Sequence, residues 1–264
     1  MSLDGGAALE AQNIRVEFGG LVAVDDVSFN IPQGSIVSLI GPNGAGKTTF
    51  FNVLTGLYQP TSGAVFFEGK EITGDPVHDI ASGGMARTFQ NIRLFGLMTA
   101  QENVMVAMHS QMKAGVVSTI LRTKNQRHEE EVAREFAQEL LDYVGIGGVT
   151  HEYARNLSYG DQRRLEVARA LALRPRVLLL DEPTAGMNPN ESAVFVQFVR
   201  KLRDDKGVSI LLIEHDISVV MQVSERITVL DQGQRIAEGT PAEIKSNPRV
   251  IEAYLGKSGS EASK

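Results

Sequence analysis

A chain of 264 residues is long enough to bury a core, in one large domain or two small ones. Apolar residues at 42% and charged residues at 22% are ordinary for a soluble globular protein and indicate neither disorder nor a fibrous class. A net charge of -6 argues against a duplex nucleic-acid binder, and the absence of cysteine excludes disulfides, thiolate metal sites and cysteine nucleophiles.

No stretch approaches the roughly 18 to 20 consecutive apolar residues of a membrane helix, and the start MSLDGGAALE lacks the apolar core of a signal peptide. A role at a membrane therefore predicts that another chain spans it. Residues 1–9 and 257–264 read as tails.

NIRVEF (13–18), DVSFNI (26–31) and SIVSLI (35–40) are β-branched or alternating runs punctuated by Gly19-Gly20 and Gln33-Gly34, which predicts three strands. The third feeds a glycine-rich segment, and TTFFNVLTGL (48–57) then has helical spacing closed by Gly56. Residues 99–145 change character, with helical periodicity and the charged run RHEEEVAREF (127–136), and predict a helical subdomain. Strand signals resume at VLLLD (177–181), SILLIE (209–214) and RITVLD (226–231), with helices between, as in a parallel sheet covered on both faces. Gln232-Gly233 turns into a short last strand, QRIAE. The absence of a flexible linker or internal repeat predicts one domain over 10–256, with a core at 10–90 and 170–256 and a helical insertion at about 91–169.

The segment Gly41-Pro42-Asn43-Gly44-Ala45-Gly46-Lys47-Thr48 fits G-x-x-x-x-G-K-[ST] between a strand and a helix. Its glycines let successive N–H groups curl round phosphate oxygens, and the helix N-terminus adds positive potential. Lys47 would reach the β- and γ-phosphates, and the Thr48 hydroxyl would ligate Mg²⁺. Asp181-Glu182 ends a buried strand, where Asp181 suits Mg²⁺ and Glu182 could act on an attacking water. The residues alone leave three positions open. His215 is either a structural hydrogen-bonder or a γ-phosphate sensor, Gln90 either caps a turn or touches Mg²⁺ and the water, and Phe18 is either a core aromatic or an adenine platform.

LSYGDQRRLEVARAL (157–171), taken with Gly41–Thr48, Gln90, Leu178–Pro183 and His215, resembles the ABC-transporter ATPases over about residues 12–255. The family's LSGGQ reads LSYGD here, so Tyr159 stands in place of its first glycine. Ser158 and Gly160 precede a helix start, so a hydroxyl, an N–H and the helix dipole could hold a γ-phosphate, although an ordinary N-cap is the plainer use. The resemblance implies an α/β fold: a P-loop NTPase core with a mostly parallel sheet, an N-terminal antiparallel β region and an inserted helical subdomain. It also implies ATP and Mg²⁺ as cofactors. ATP is expected on Phe18, on Gly41 through Thr48, and on Thr49, with Mg²⁺ on Thr48, Gln90 and Asp181.

In the same resemblance Glu182 is the catalytic carboxylate, His215 the switch histidine and Gln90 the Q-loop glutamine. Ser158, Gly160 and Asn188 would face the ATP of the opposite subunit in a head-to-tail dimer, homodimer or heterodimer with a related ATPase. Asn188, in AGMNP (185–189), stands where most members have aspartate. The stretch 87–107, the long charged insertion before YVGI and GTPAEIKSNPRVIEAYLG (239–256) are most similar to the larger ATPase of branched-chain amino acid importers. That implies permease partners, no nucleic acid, and a peripheral place on the inner face of the cell membrane. Two rivals share part of the pattern: a soluble ABC ATPase of DNA repair or translation, and a P-loop small-molecule kinase, which would not need LSYGD.

Overall fold

The computed structural model describes residues 6–108 and 124–261. These fall into two compact units, one drawn from Met1–Arg87 with Arg176–Lys264 and the other from Thr88–Pro175. The part of the expected helical region at 109–123, and the outermost ends of the two tails, lie outside the described residues.

The chain opens with strands β1 (Ala7–Phe18), β2 (Leu21–Pro32) and β3 (Ile36–Ile40), followed by helix α1 (Lys47–Leu54), β4 (Ser62–Phe67), β5 (Lys70–Glu71), α2 (Val77–Ser82) and β6 (Met85–Arg87). The second unit holds α3 (Ala100–Met108), α4 (Lys124–Tyr143) and α5 (Tyr159–Ala172). The chain then returns through β7 (Val177–Asp181), α6 (Pro189–Lys206), β8 (Ser209–Ile213), α7 (Ile217–Val223), β9 (Arg226–Asp231), β10 (Gln234–Gly239), α8 (Pro241–Ser246) and α9 (Pro248–Glu261).

The first unit has two sheets. One is antiparallel, in the order β2-β1-β4-β5. The other runs β10-β9-β3-β8-β7-β6, parallel throughout except for β10. All five residues of β3, β7 and β8 are buried, because apolar layers cover this sheet on both faces. On one face Leu39, Leu179 and Leu211 join Phe50 and Phe51 of α1 and Leu9 and Ile14 of β1. On the other, Ile40 and Val229 pack with Val220, Ile244 and Val250 from the last three helices. The opposite destinations of Leu39 and Ile40 are the two-residue alternation of a strand.

β1 starts six residues earlier than the alternation at 13–18 suggests. Leu9, Ala11, Ile14 and Val16 are all buried, so the period of two slips between Ala11 and Ile14, where the pairing with β2 also shifts. Asn13 sits in that bulge with φ of 50°, and its side-chain amide donates to Asp26 Oδ1 at 2.8 Å. At the other end, α9 continues to Glu261. The short strands β4 and β5 were not anticipated from the sequence.

In the second unit α3, α4 and α5 pack on one another, and Thr99 forms a β-bridge with Tyr153. Ala133, Ala137, Leu140 and Leu141 make the buried stripe of an amphipathic α4, and Val144 is buried just past its end. Its charged residues, such as the Glu130–Arg134 pair at 2.8 Å, stay at the surface.

Candidate nucleotide-binding site

Gly41 to Gly46 link the end of β3 to the start of α1. A side chain at Gly41 would put Cβ 2.1 Å from the Leu230 carbonyl oxygen, and at Gly46, with φ of 92°, 2.4 Å from that of Ala23. Only glycine lets the loop lie this close to its neighbours. Gly46 occupies the N-cap of α1 and brings no side-chain cap, leaving the N–H groups of the first turn available for an anion. Lys47 Nζ folds back over the loop and donates to the carbonyls of Gly41 at 2.7 Å and Pro42 at 3.0 Å. Tyr254 of α9 packs against the apolar cluster that includes Ile40, the last residue of β3. Burial pushes its phenol up to about 12, against the pull of a hydrogen bond from the Gly41 backbone.

β3, β8 and β7 are parallel neighbours, so the segments that follow them leave the same edge of the sheet. The segments are the glycine-rich loop, Glu214-His215 and Asp181-Glu182. Asp181 is buried and lies 3.5 Å from Arg87 Nη2. That guanidinium also donates from Nη1 to Asn52 Oδ1 and Thr55 Oγ1, each at 3.0 Å, and stacks 4.6 Å from the Phe51 ring centre. Glu182 takes the left-handed conformation, φ 46°, and its N–H donates to the Ile213 carbonyl at 2.8 Å. The turned backbone leaves its carboxylate partly exposed, with Oε2 3.7 Å from His215 Nδ1.

Glu214 is the anchor of this edge, and sequence reasoning passed over it. Its side chain is fully buried and accepts the Thr184 N–H at 2.9 Å, the Thr184 hydroxyl at 2.6 Å and the His215 N–H at 3.2 Å. One carboxylate thus fixes the backbone after both Glu182 and Glu214. Asp216 then caps α7, and its hydrogen bond from the Ser218 hydroxyl holds its carboxyl below the usual range. Asn188 caps α6 in a reciprocal box, accepting from Asn190 and Glu191 at 3.0 Å while Glu191 accepts the Asn188 N–H at 2.8 Å.

Phe18 is half exposed at the end of β1, edge-on to Tyr58 with ring centres 5.7 Å apart. This is an aromatic ledge, not a core position, and Tyr58 is its second, unforeseen member.

Gln90, Ser158 and Gly160 belong to the second unit. Ser158 caps α5, accepting the Asp161 N–H at 3.2 Å and donating to Asp161 Oδ2 at 2.8 Å. Gln90 is exposed and its carbonyl accepts from Arg163.

A glycine loop joining β3 to a helix, beside carboxylates at parallel strand ends, defines a P-loop nucleotide-binding core. Residues 24–185 match the family described as ABC transporter, and residues 234–259 match a second described as branched-chain amino acid ATP-binding cassette transporter. The chain belongs to the ATP-binding cassettes of ABC transporters and is an ATPase of that type. It is 47% identical over 94% of its length to BraF of Pseudomonas aeruginosa, a high-affinity branched-chain amino acid transport ATP-binding protein, covering 98% of it. Identity to LivG of Escherichia coli K12, of the same description, is 46% over the same shares.

Among solved structures, it is similar to the ADP conformation of an ABC-transporter cassette, with a TM-score of 0.83, 32% identity, and 95% and 99% of the two chains covered. A dimeric post-hydrolysis cassette bound to ADP and Pi gives 0.75 at 28% identity, over 88% and 98%. The expected α/β fold, with an antiparallel N-terminal region, a parallel-rich sheet and a helical insertion, is the one observed.

Proposed function

We propose that this chain is the ATP-hydrolysing subunit that powers a membrane importer for branched-chain amino acids, seated on the inner face of the membrane. The observation that carries this is the 47% identity, along nearly the whole of both chains, to a branched-chain amino acid transport ATP-binding protein. The solute itself is left to the membrane subunits.

In this reading Phe18 stacks on adenine, and the loop from Gly41 to Thr49 surrounds the phosphates, its N–H groups from Asn43 onward donating to them. Lys47 leaves the carbonyls of Gly41 and Pro42 to neutralise phosphate charge. One buried carboxylate, Asp181, with the Thr48 hydroxyl and Gln90, suits Mg²⁺, which takes much of its shell from water and nucleotide oxygens. Bound there, Mg²⁺ offsets the charge that develops on the phosphates. Glu182 draws a proton from the attacking water, and His215 donates toward the γ-phosphate. A second ATPase subunit, identical or related, contributes its Ser158, Gly160 and Asn188. ATP closes the dimer through its higher affinity for the closed state.

Contact with the permease is assigned to the segment after Gln90. Phe95 and Leu97 are 46% and 74% exposed there. The turn that carries them is ordered, because buried Asn103 accepts the Phe95 N–H at 2.9 Å and donates to its carbonyl at 3.1 Å. Apolar side chains held outward on a fixed turn suit a protein partner.

The test is ATP-driven uptake of labelled leucine into vesicles that hold the chain with its co-purified permease. Glu182→Gln should abolish uptake and trap an ATP-bound dimer. Purification in mild detergent without any integral membrane protein, together with no uptake, would leave a soluble ABC ATPase instead. Phosphate release that requires an added acceptor would leave a kinase.

A further inference from the structure

Along one side of α5, Tyr159, Arg163 and Glu166 follow at intervals of four and three, so they stand one above the next. Arg163 is 3% exposed and Glu166 5%. Arg163 Nη1 donates to the Phe89 carbonyl at 2.8 Å and lies 3.2 Å from Glu166 Oε2. Its Nη2 donates to the Gln90 carbonyl and, at 3.0 Å, to the Tyr159 hydroxyl oxygen. Glu166 Oε1 accepts the Phe89 N–H at 3.1 Å, and the Arg163 guanidinium lies 5.4 Å from the Tyr159 ring centre. One turn further, Arg169 donates to the Arg93 carbonyl and stacks 5.2 Å from the Phe95 ring centre.

A buried ion pair is a costly way to hold a helix against a loop, since apolar residues of the same volume do so with no desolvation penalty. Burial accordingly pushes the Glu166 carboxyl up, with the Phe89 N–H and Arg163 pulling the other way. What the charged pair adds is direction. It grips both the N–H and the C=O of residue 89 and the C=O of residue 90, fixing successive peptide planes as an apolar contact could not. Tyr159, which interrupts the usual glycine of the signature, supplies a hydroxyl that glycine lacks.

We propose that Arg163 and Glu166, completed by the Tyr159 hydroxyl, are positioning residues for Gln90, fixing its main chain to the helix that begins at Ser158. Gln90 and Ser158 then move as one piece. This deepens the functional reading above, since it rests on Gln90 touching Mg²⁺ and the attacking water. Because Gln90 serves the chain's own ATP and Ser158 that of its partner, the clamp also ties the two sites of a dimer together.

The experiment measures kcat and KM for Mg-ATP in the full chain carrying Arg163→Lys, Tyr159→Phe or Gln90→Ala, and in each clamp variant combined with Gln90→Ala. A lysine keeps the charge but not the guanidinium fork. Arg163→Lys should lower kcat about tenfold and Tyr159→Phe about threefold, the scale of one or two hydrogen bonds, with KM within about twofold of wild type. Each double variant should be no slower than Gln90→Ala alone. Multiplying effects, or a raised KM at unchanged kcat, would overturn the proposal. Wild-type turnover of Gln90→Ala alone would also overturn it, and would locate the failure in the reading of Gln90. If Arg163→Lys does not fold, Tyr159→Phe carries the test, since it removes one hydroxyl and keeps the ring.

Discussion

The Thr184 hydroxyl donates to Glu214 Oε1 at 2.6 Å, and the same oxygen accepts the Thr184 N–H at 2.9 Å. The Glu214 side chain is wholly shielded from water, so these bonds have no replacement. Glu214→Ala should therefore destabilise the fold by about 2–4 kcal/mol, the scale of several buried polar groups losing a charged partner. Glu214→Gln, which keeps one oxygen, should lose less. Thermal unfolding of both variants, read with phosphate release, checks this. A Glu214→Ala variant as stable and active as wild type would remove Glu214 as the anchor of Glu182 and His215.

Arg87 gives a second expectation. Its guanidinium holds Asp181 at 3.5 Å in a setting where the arginine side chain is 12% exposed and the carboxylate 9%. Arg87→Met should cost about 2–4 kcal/mol in the nucleotide-free chain, because a shielded carboxylate loses its cation. Saturating Mg-ATP should recover part of that loss, as bound Mg²⁺ restores positive charge beside Asp181. Unfolding midpoints with and without Mg-ATP would settle it, and equal losses in both conditions would separate Asp181 from the metal.

At Gly46 an alanine meets the Ala23 carbonyl oxygen at 2.4 Å in a conformation disfavoured for L residues. Gly46→Ala should cost at least about 1–3 kcal/mol through strain, and nucleotide binding should fall with it. Titration with a fluorescent ATP analogue reads the loss.

Phe18→Ala should weaken nucleotide binding by roughly 1–2 kcal/mol, about five- to thirtyfold, with kcat at saturation little changed, because stacking on a base is felt equally before and during reaction. Tyr58→Ala, which removes the edge-on neighbour at 5.7 Å, should give a smaller effect in the same direction. A fall in kcat without a change in affinity would take Phe18 out of the adenine site.

Acid sensitivity follows from the helix caps. The Thr99 N–H holds the Glu102 carboxyl below its ordinary value, the Thr240 N–H does so for Glu243, and the Ser218 hydroxyl for Asp216. A carboxylate depressed in the folded state gives stability that is complete above its unfolded pKa, near 4, and lost as pH falls through the folded value. Glu166, raised by burial, acts in the opposite sense. The unfolding midpoint should therefore drop below about pH 4, and Glu102→Gln with Glu243→Gln should flatten that drop. An unchanged slope would show that these caps do not govern it.

What was legible in the sequence were the features with a local cause. The apolar runs of β3, β7 and β8 name buried parallel strands because nothing polar interrupts them, and Lys47 and Thr48 are marked by glycines that only a close-packed loop needs. β1 was cut short because the bulge at Asn13 shifts its alternation by one residue. Glu214, Arg87 and the Arg163–Glu166 pair were not legible. Their partners lie 30, 94 and about 75 positions away, at Thr184, Asp181 and residues 89–90, and no local pattern reports such pairings.

The reciprocal cap at the start of α6 leaves one position unusually free. Asn188 needs only its side-chain oxygen to accept from Asn190 and Glu191, and aspartate offers the same oxygen. Exchanging a single amide nitrogen for oxygen would add a negative charge at a helix start, where the dipole tolerates it, and leave the helix intact. At this exposed residue the charge presented to the second ATPase subunit can therefore be changed while the helix beneath it stays the same.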